Sequence, residues 1–132
     1  GDSMLGMVLG LFAGFELKHF VADYLLQTGW MIAGKGNFAH LGGYAHAAVH
    51  ALGSAIVLLI ARIPLPALAA LVVAEFVVHF LLDHAKVLYS GGIDPDEDPQ
   101  RFWAMHGFDQ LLHQLTYIVM VYFALRAVGA GF

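Results

Sequence analysis

The sequence predicts an all-α membrane protein, a four-transmembrane-helix bundle made of two similar helical hairpins. Three observations predict it. The chain of 132 residues is 60% hydrophobic and 12% charged, with a mean hydropathy of +0.74. A soluble domain is nearer half apolar and a quarter charged. Apolar runs of the roughly 20 residues that a bilayer crossing needs recur at about 4–29, 41–62, 66–90 and 102–128. No stretch alternates apolar and polar residues as a half-buried strand does. The length fits one domain, taken as 4–128, with Gly1 to Ser3 set aside as a remnant ahead of Met4.

The first run lacks a basic leading segment and is too long for a cleavable signal core. Its Gly6, Gly10 and Gly14 form a small-xxx-small stripe, which suits close packing within the bundle or a homodimer contact. The glycine-rich TGWMIAGKGNFAH leads to the second run. Its G-x-G-x-x-A string, Gly34 to Ala39, is no nucleotide fingerprint, because no strand precedes it. RIPLP joins the second and third runs, and Pro64 and Pro66 force a short turn there. SGGIDPDEDPQRFW, with four acids and two prolines, is an exposed loop before the fourth run. Trp30, Trp103, Tyr24 and Tyr89 fit an interfacial aromatic belt.

The hairpins read as one unit written twice. His19 and Asp23 correspond to His79 and Asp83 at an offset of 60 residues, and His46 and His50 to Asp109 and His113 at an offset of 63. Each hairpin crosses twice, so the halves are parallel, related by a pseudo-twofold axis along the membrane normal.

These pairs carry the chemistry. His19–Asp23 and His79–Asp83 lie near the ends of the first and third helices. His46–His50 and Asp109–His113 lie near the starts of the second and fourth. Neighbouring helices run antiparallel, so all four pairs fall in one layer toward one face, roughly 6–16 Å below the surface at 1.5 Å per residue. Spacing of i, i+4 puts both members of a pair on one helix face. Five His and three Asp can therefore converge on the bundle interior. Ionisable groups at such depth are costly and mark functional sites. Imidazole and carboxylate suit zinc, iron or manganese. Three or four would hold a tetrahedral zinc, and eight are enough for two metals with orienting groups to spare. Glu16 and His19 form one E-x-x-H of the kind that di-iron bundles use in pairs, but its partner motif is missing. The competing reading is a structural His–Asp network that ties the helices together by interhelical hydrogen bonds.

Around the layer, Glu75 continues the His79–Asp83 stripe one turn deeper, as a proton relay or a neutral hydrogen-bonded group. Lys86, one turn past Asp83, either holds an anionic substrate group or snorkels to the headgroups. Gln27 takes a similar position on the first helix, Lys18 is placed to pair with Glu75, and His40, His84 and His106 read as rim residues. There is no cysteine, and neither G-x-S-x-G nor H-E-x-x-H occurs. Thiol, serine and zincin chemistry are thereby excluded. A net charge of −4 with six Lys plus Arg supplies no basic patch for nucleic acid.

HFVADYLLQTGWMIAGK, HAAVH, HFLLDHAK and DQLLH, in that order, resemble the domain of unknown function 3307 family of small bacterial membrane proteins. The resemblance runs from about residue 15 to 115. It implies that His19, Asp23, Gln27, Lys35, His46, His50, His79, Asp83, Lys86, Asp109, Gln110 and His113 match the family pattern. It also implies a bacterial cytoplasmic (inner) membrane, and it brings no established activity. The His/Asp pattern is loosely similar to membrane-bound metal-dependent hydrolases, by analogy only.

The expectation is an intramembrane metalloenzyme. A divalent metal, zinc foremost, is held by His19, Asp23, His46, His50, His79, Asp83, Asp109 and His113. Asp83 or Asp109 serves as general base, and Lys86 contacts a lipid-like or interfacial substrate. Hydrolysis is the default reaction, because no redox-cofactor motif is present. Metal transport or sensing is the second reading, and a polar column continuing past Glu75 would support it. Toward the far face only Ser54, Thr116 and Tyr117 are polar. Haem binding through a His pair is disfavoured by the three Asp, since haem needs apolar walls. Lys35, Lys86 and Arg101 on the site side, against Arg62 and Arg126, lean the site toward the cytoplasm.

Overall fold

The computed structural model describes residues 2–129, and among these the chain is helical with no strand. Helix α1 spans Asp2–Phe20 and continues through a π-helical turn, Val21–Leu25. Then come a short α2, Gly29–Gly34, and three long helices: α3 Leu41–Ile60, α4 Leu65–Ser90 and α5 Pro99–Ala127. Contacts join α1 to α3, α3 to α4, α4 to α5 and α5 back to α1, so the four long helices close a ring.

Three segments, Ser3–Leu25, Leu41–Ile60 and Leu65–Tyr89, are long and apolar enough to cross a membrane. The expected fourth span, 102–128, forms a helix of 29 residues but is not among these. Its first half carries Arg101, His106, Asp109, Gln110, His113 and Gln114. The surface of the ring and the polar half of its interior are inverted relative to a water-soluble bundle. Large apolar side chains point outward on every long helix, among them Leu9, Leu17, Ile56, Val73, Leu81 and Ile118, while five histidines are buried. In water the hydrophobic effect would drive the opposite arrangement.

Ends and connections follow local chemistry. At the close of α3, Arg62 N–H bonds to Leu59 C=O at 3.0 Å and Ile63 N–H to Leu58 C=O at 3.0 Å. This is the Schellman pattern, with Arg62 in the left-handed position at φ 60°. Pro64 precedes α4, and Pro66 lies in its first turn, where a missing N–H costs nothing. Asp98 caps α5 by accepting from Arg101 N–H at 3.3 Å, and Pro99 starts the helix.

Two features depart from the expected elements. The first helix ends at Leu25 rather than near residue 29, through a wide turn closed by Leu26 N–H to Val21 C=O at 2.9 Å. The glycine-rich segment is not a plain connection, since it holds α2, capped by the Thr28 hydroxyl accepting from Met31 N–H at 3.3 Å. α2 packs on the start of α3 through glycine. A Cβ on Gly42 would sit 2.1 Å from the Trp30 carbonyl oxygen, and one on Gly34 would sit 2.4 Å from Gly43 N. Neither the π turn nor a counterpart of α2 recurs in the second half, so the two hairpins are not copies of one another.

Along the ring axis the interior divides in two. One half is an apolar core of Leu11, Phe15, Leu58, Ile63, Tyr117, Met120, Val121, Ala124 and Leu125. The other half holds the histidines and aspartates.

Candidate metal centre

All four i, i+4 pairs meet in the polar half, so the matched depth expected from the sequence is realised as contact. The rings of His50 and His79 stack at 3.9 Å between centroids, and His79 lies 4.5 Å from His113. His46 lies 4.8 Å from His50. Two sets of donor atoms stand within 4.8 Å of one another and can hold a metal ion. One is Asp23, His46, His50 and His79; the other is His79, Asp83 and His113. His79 is common to both. Six of the eight expected ligands therefore fall in these sets, and His19 and Asp109 do not.

The two outside the sets have other partners. His19 is engaged at both nitrogens. Its Nδ1 lies 2.9 Å from the Tyr117 hydroxyl, and its Nε2 lies 3.0 Å from Asp23 Oδ2 and 3.1 Å from Gln110 Oε1. Because Gln110 Nε2 donates to Asp109 at 3.1 Å, its Oε1 is left to accept from His19 Nε2–H. Tyr117 then donates to Nδ1. His19 thus orients Asp23 and has no lone pair to offer. Asp109 faces Lys86 Nζ at 3.2 Å, and its backbone carbonyl accepts from His113 Nδ1–H at 2.8 Å.

That last bond decides the chemistry of His113. A carbonyl can only accept, so the proton of the neutral ring is on Nδ1 and the lone pair is on Nε2. This Nε2 is buried, has no hydrogen-bond partner and looks toward Asp83 Oδ1 at 3.7 Å. Two acceptors aimed at each other in a buried site repel unless a proton or a metal cation stands between them. A histidine that donates one nitrogen to a carbonyl and presents the other is also the usual support for a metal ligand. The same carboxylate meets two further orphan nitrogens. His79 Nε2 is 3.2 Å from Asp83 Oδ2, and His46 Nε2 is 3.7 Å away. Both are buried and stand within ion-pair distance of a carboxylate, His79 at Asp83 and His46 nearer Asp23 at 3.2 Å, but neither is aligned as a hydrogen bond.

The Asp23 side is more fully hydrogen-bonded. Asp23 Oδ1 accepts from His50 Nε2–H at 2.7 Å and lies 3.2 Å from His46 Nε2. Behind His50 stands Lys18, paired with Glu75 as the sequence suggested. The three ammonium protons of Lys18 go to Glu75 Oε1, His50 Nδ1 at 3.1 Å and His50 C=O at 3.3 Å. Below this pair the polar column stops, as the sequence implied. Tyr117 packs flat on Phe15 at 5.4 Å, Thr116 bonds back to the Leu112 carbonyl at 2.9 Å, and the apolar core fills the rest.

On the side away from the apolar core the centre opens into a polar pocket of about 120 Å³, whose walls include Asp23, Gln27, Asp83, Asp109 and His113. Lys35 and Lys86 stand on its rim, Lys35 Nζ 3.7 Å from Asp83 Oδ2. Lys86 also lies 3.2 Å from His106 Nδ1. Of the three histidines expected at the rim, His106 lines the pocket, whereas His40 caps α3 through Gly42 N–H at 2.9 Å and His84 stacks on Phe38 at 4.0 Å. The Gly6 and Gly10 face meets nothing within 4 Å, whereas Gly14 packs against Val57.

Reasoning from spacing missed Tyr117 as a site residue, and it admitted Lys35 and Gln110 only through the family pattern. Tyr117 was within reach, since it stands four residues after His113 on the same stripe. Over residues 11–130 the chain matches the sequence family described as "Protein of unknown function (DUF3307)". No curated protein and no solved structure matches it.

Proposed function

The chain belongs to the DUF3307 family of proteins of unknown function, and from its site we propose a membrane-embedded, metal-dependent hydrolase. The single domain of residues 4–128 spans the bilayer four times. α5 serves as the fourth span by turning Asp109, His113 and Tyr117 inward and Ile118, Val119 and Phe123 outward. The carrying observation is the buried His113 Nε2 lone pair facing Asp83, beside His79 and His46, whose Nε2 atoms lie near Asp83 without an aligned hydrogen bond. His79, Asp83 and His113 would hold the metal beside the polar pocket, which Asp83 and His113 line. Three ligands with an open position is the arrangement of catalytic zinc, and two His with one carboxylate also accommodates iron(II). Asp23 and His46 stand beside this set, with His19 and His50, each bonded at both nitrogens, as orienting groups.

When bound, such a metal lowers the pKa of its water toward neutrality. Asp109, on the pocket wall, is placed to take the proton as general base. Lys86 holds it at 3.2 Å and stands where an anionic substrate group would arrive. The pocket opens at headgroup level, which favours lipid-like or interfacial substrates. The apolar half of the bundle disfavours metal transport, because an ion would have no polar path beyond Glu75.

The test is hydrolysis of bis(p-nitrophenyl) phosphate and of a lipid phosphodiester by zinc-reconstituted protein and by chelator-stripped protein. We predict turnover that depends on metal and falls about 10²- to 10⁴-fold in Asp109→Asn, the range of a lost general base. Equal rates with and without metal, or no loss in Asp109→Asn, would contradict the reading.

A further inference from the structure

A second cavity touches the polar pocket. It is a groove of about 210 Å³ between α4 and α5, and it shares Lys86 and Asp109 with the pocket. Its remaining wall is almost wholly apolar, including Leu82 and Ala85 from α4 and Met105, Phe108 and Leu112 from α5. A polar compartment and an apolar one therefore meet at Lys86. Phe108 is exposed on the outer surface, which faces acyl chains if α4 and α5 span the bilayer.

The charge of the polar compartment narrows the occupant. Its lining holds Asp23, Asp83 and Asp109 against Lys35 and Lys86, one negative charge in excess. A divalent metal reverses this to one positive charge. In a site of low dielectric, one anionic charge balances it, and a zwitterion does not.

Resting on the metal reading above, we propose that this junction binds a singly charged anionic phospholipid, its phosphodiester between Lys86 and the metal centre and one acyl chain in the α4–α5 groove. Lys86 is the specificity-determining residue, and the groove sets the requirement for a chain. A chain already in hydrocarbon gains packing rather than transfer from water, so the groove supplies the fit for a chain and the ammonium supplies selection.

The probe is an equimolar mixture of phosphatidylglycerol and phosphatidylcholine offered to the purified, zinc-loaded full chain in detergent. Retained lipid is counted by mass spectrometry after gel filtration, and zinc is measured in the same fractions. The wild type is expected to retain phosphatidylglycerol over phosphatidylcholine by roughly tenfold, the scale of one charge-assisted contact. Lys86→Gln is expected to erase the preference. Ala85→Trp on α4 and Met105→Trp on α5 each fill the groove and are expected to lose the lipid while keeping their zinc, which also reports an intact fold. Soluble glycerophosphoglycerol, the same headgroup without chains, is expected to compete poorly.

Equal retention of both lipids by zinc-loaded wild type would overturn this inference alone. So would undiminished phosphatidylglycerol in both tryptophan variants, or competition by the soluble headgroup as strong as by the lipid. A wild type that takes up no zinc would overturn the metal reading, and this inference with it.

Discussion

Two buried residues that ligate nothing test how the site is held. Lys18 and Glu75 form an ion pair almost free of solvent, with side-chain exposures of 6% and 1%. Removing one partner from such a pair leaves an uncompensated buried charge, which costs about 3–5 kcal/mol. Lys18→Met is therefore predicted to lower the thermal midpoint sharply, and Lys18→Met with Glu75→Leu to recover most of the loss. Thermal unfolding of the four members of that cycle in detergent measures the coupling, and additive losses would contradict the pairing. Tyr117→Phe removes the donor to His19 Nδ1 and leaves a buried acceptor unsatisfied, at a cost of about 1–3 kcal/mol. A midpoint equal to wild type would show that this bond is not formed. At this scale the sequence was partly legible. Placing Glu75 one turn below His79 suggested the Lys18 pair. The separation of ligands from orienting residues was not legible, because His19 and His113 differ only in what their second nitrogens meet. Those partners, Gln110 and a backbone carbonyl of α5, come from contacts that no spacing encodes.

Among the helices, the tight joint between α2 and α3 carries the clearest consequence. A methyl on Gly42 would collide with the Trp30 carbonyl, and backbone cannot yield as a flexible side chain can. Gly42→Ala is predicted to destabilise by about 1–3 kcal/mol and to displace the segment that carries Lys35 to the pocket rim. Gly10→Ala meets nothing and is predicted to stabilise by up to about 1 kcal/mol, as alanine does in a helix interior. Paired unfolding curves check both, and equal midpoints for the two variants would contradict the packing described. If Gly6 and Gly10 instead form the expected homodimer contact, Gly10→Ala lowers the midpoint in a concentration-dependent way. α1, α3 and α4 were legible from apolar length, and the ends of the long helices fell within a few residues of expectation. α2 was not, because six residues give no periodicity to read and its glycines looked like linker. The π turn has no sequence signature, yet it is the segment that carries Asp23 to His46 and His50. Such turns recur at functional sites.

At the scale of the whole molecule, an apolar surface encloses an interior that is half apolar core and half His/Asp layer, and the proposed reason for the layer is a metal. The sequence carried the main evidence, four i, i+4 pairs at one depth, and the structure turns that agreement of depth into contact. What the sequence left open was whether the layer satisfies itself by hydrogen bonds. The structure answers unevenly: His19 and His50 are bonded at both nitrogens, whereas His46, His79 and His113 present orphaned atoms around Asp83. A purely structural network would close those bonds, since buried polar groups are rarely left unpaired. The most direct measurement is elemental analysis of the purified protein, wild type beside a His79→Ala, Asp83→Ala double variant, with folding of both followed by circular dichroism. The account predicts one or two equivalents of zinc, iron or manganese in the wild type and none in a folded double variant. A folded wild type that holds no metal, even after reconstitution, would contradict it and leave the layer as a structural His–Asp network.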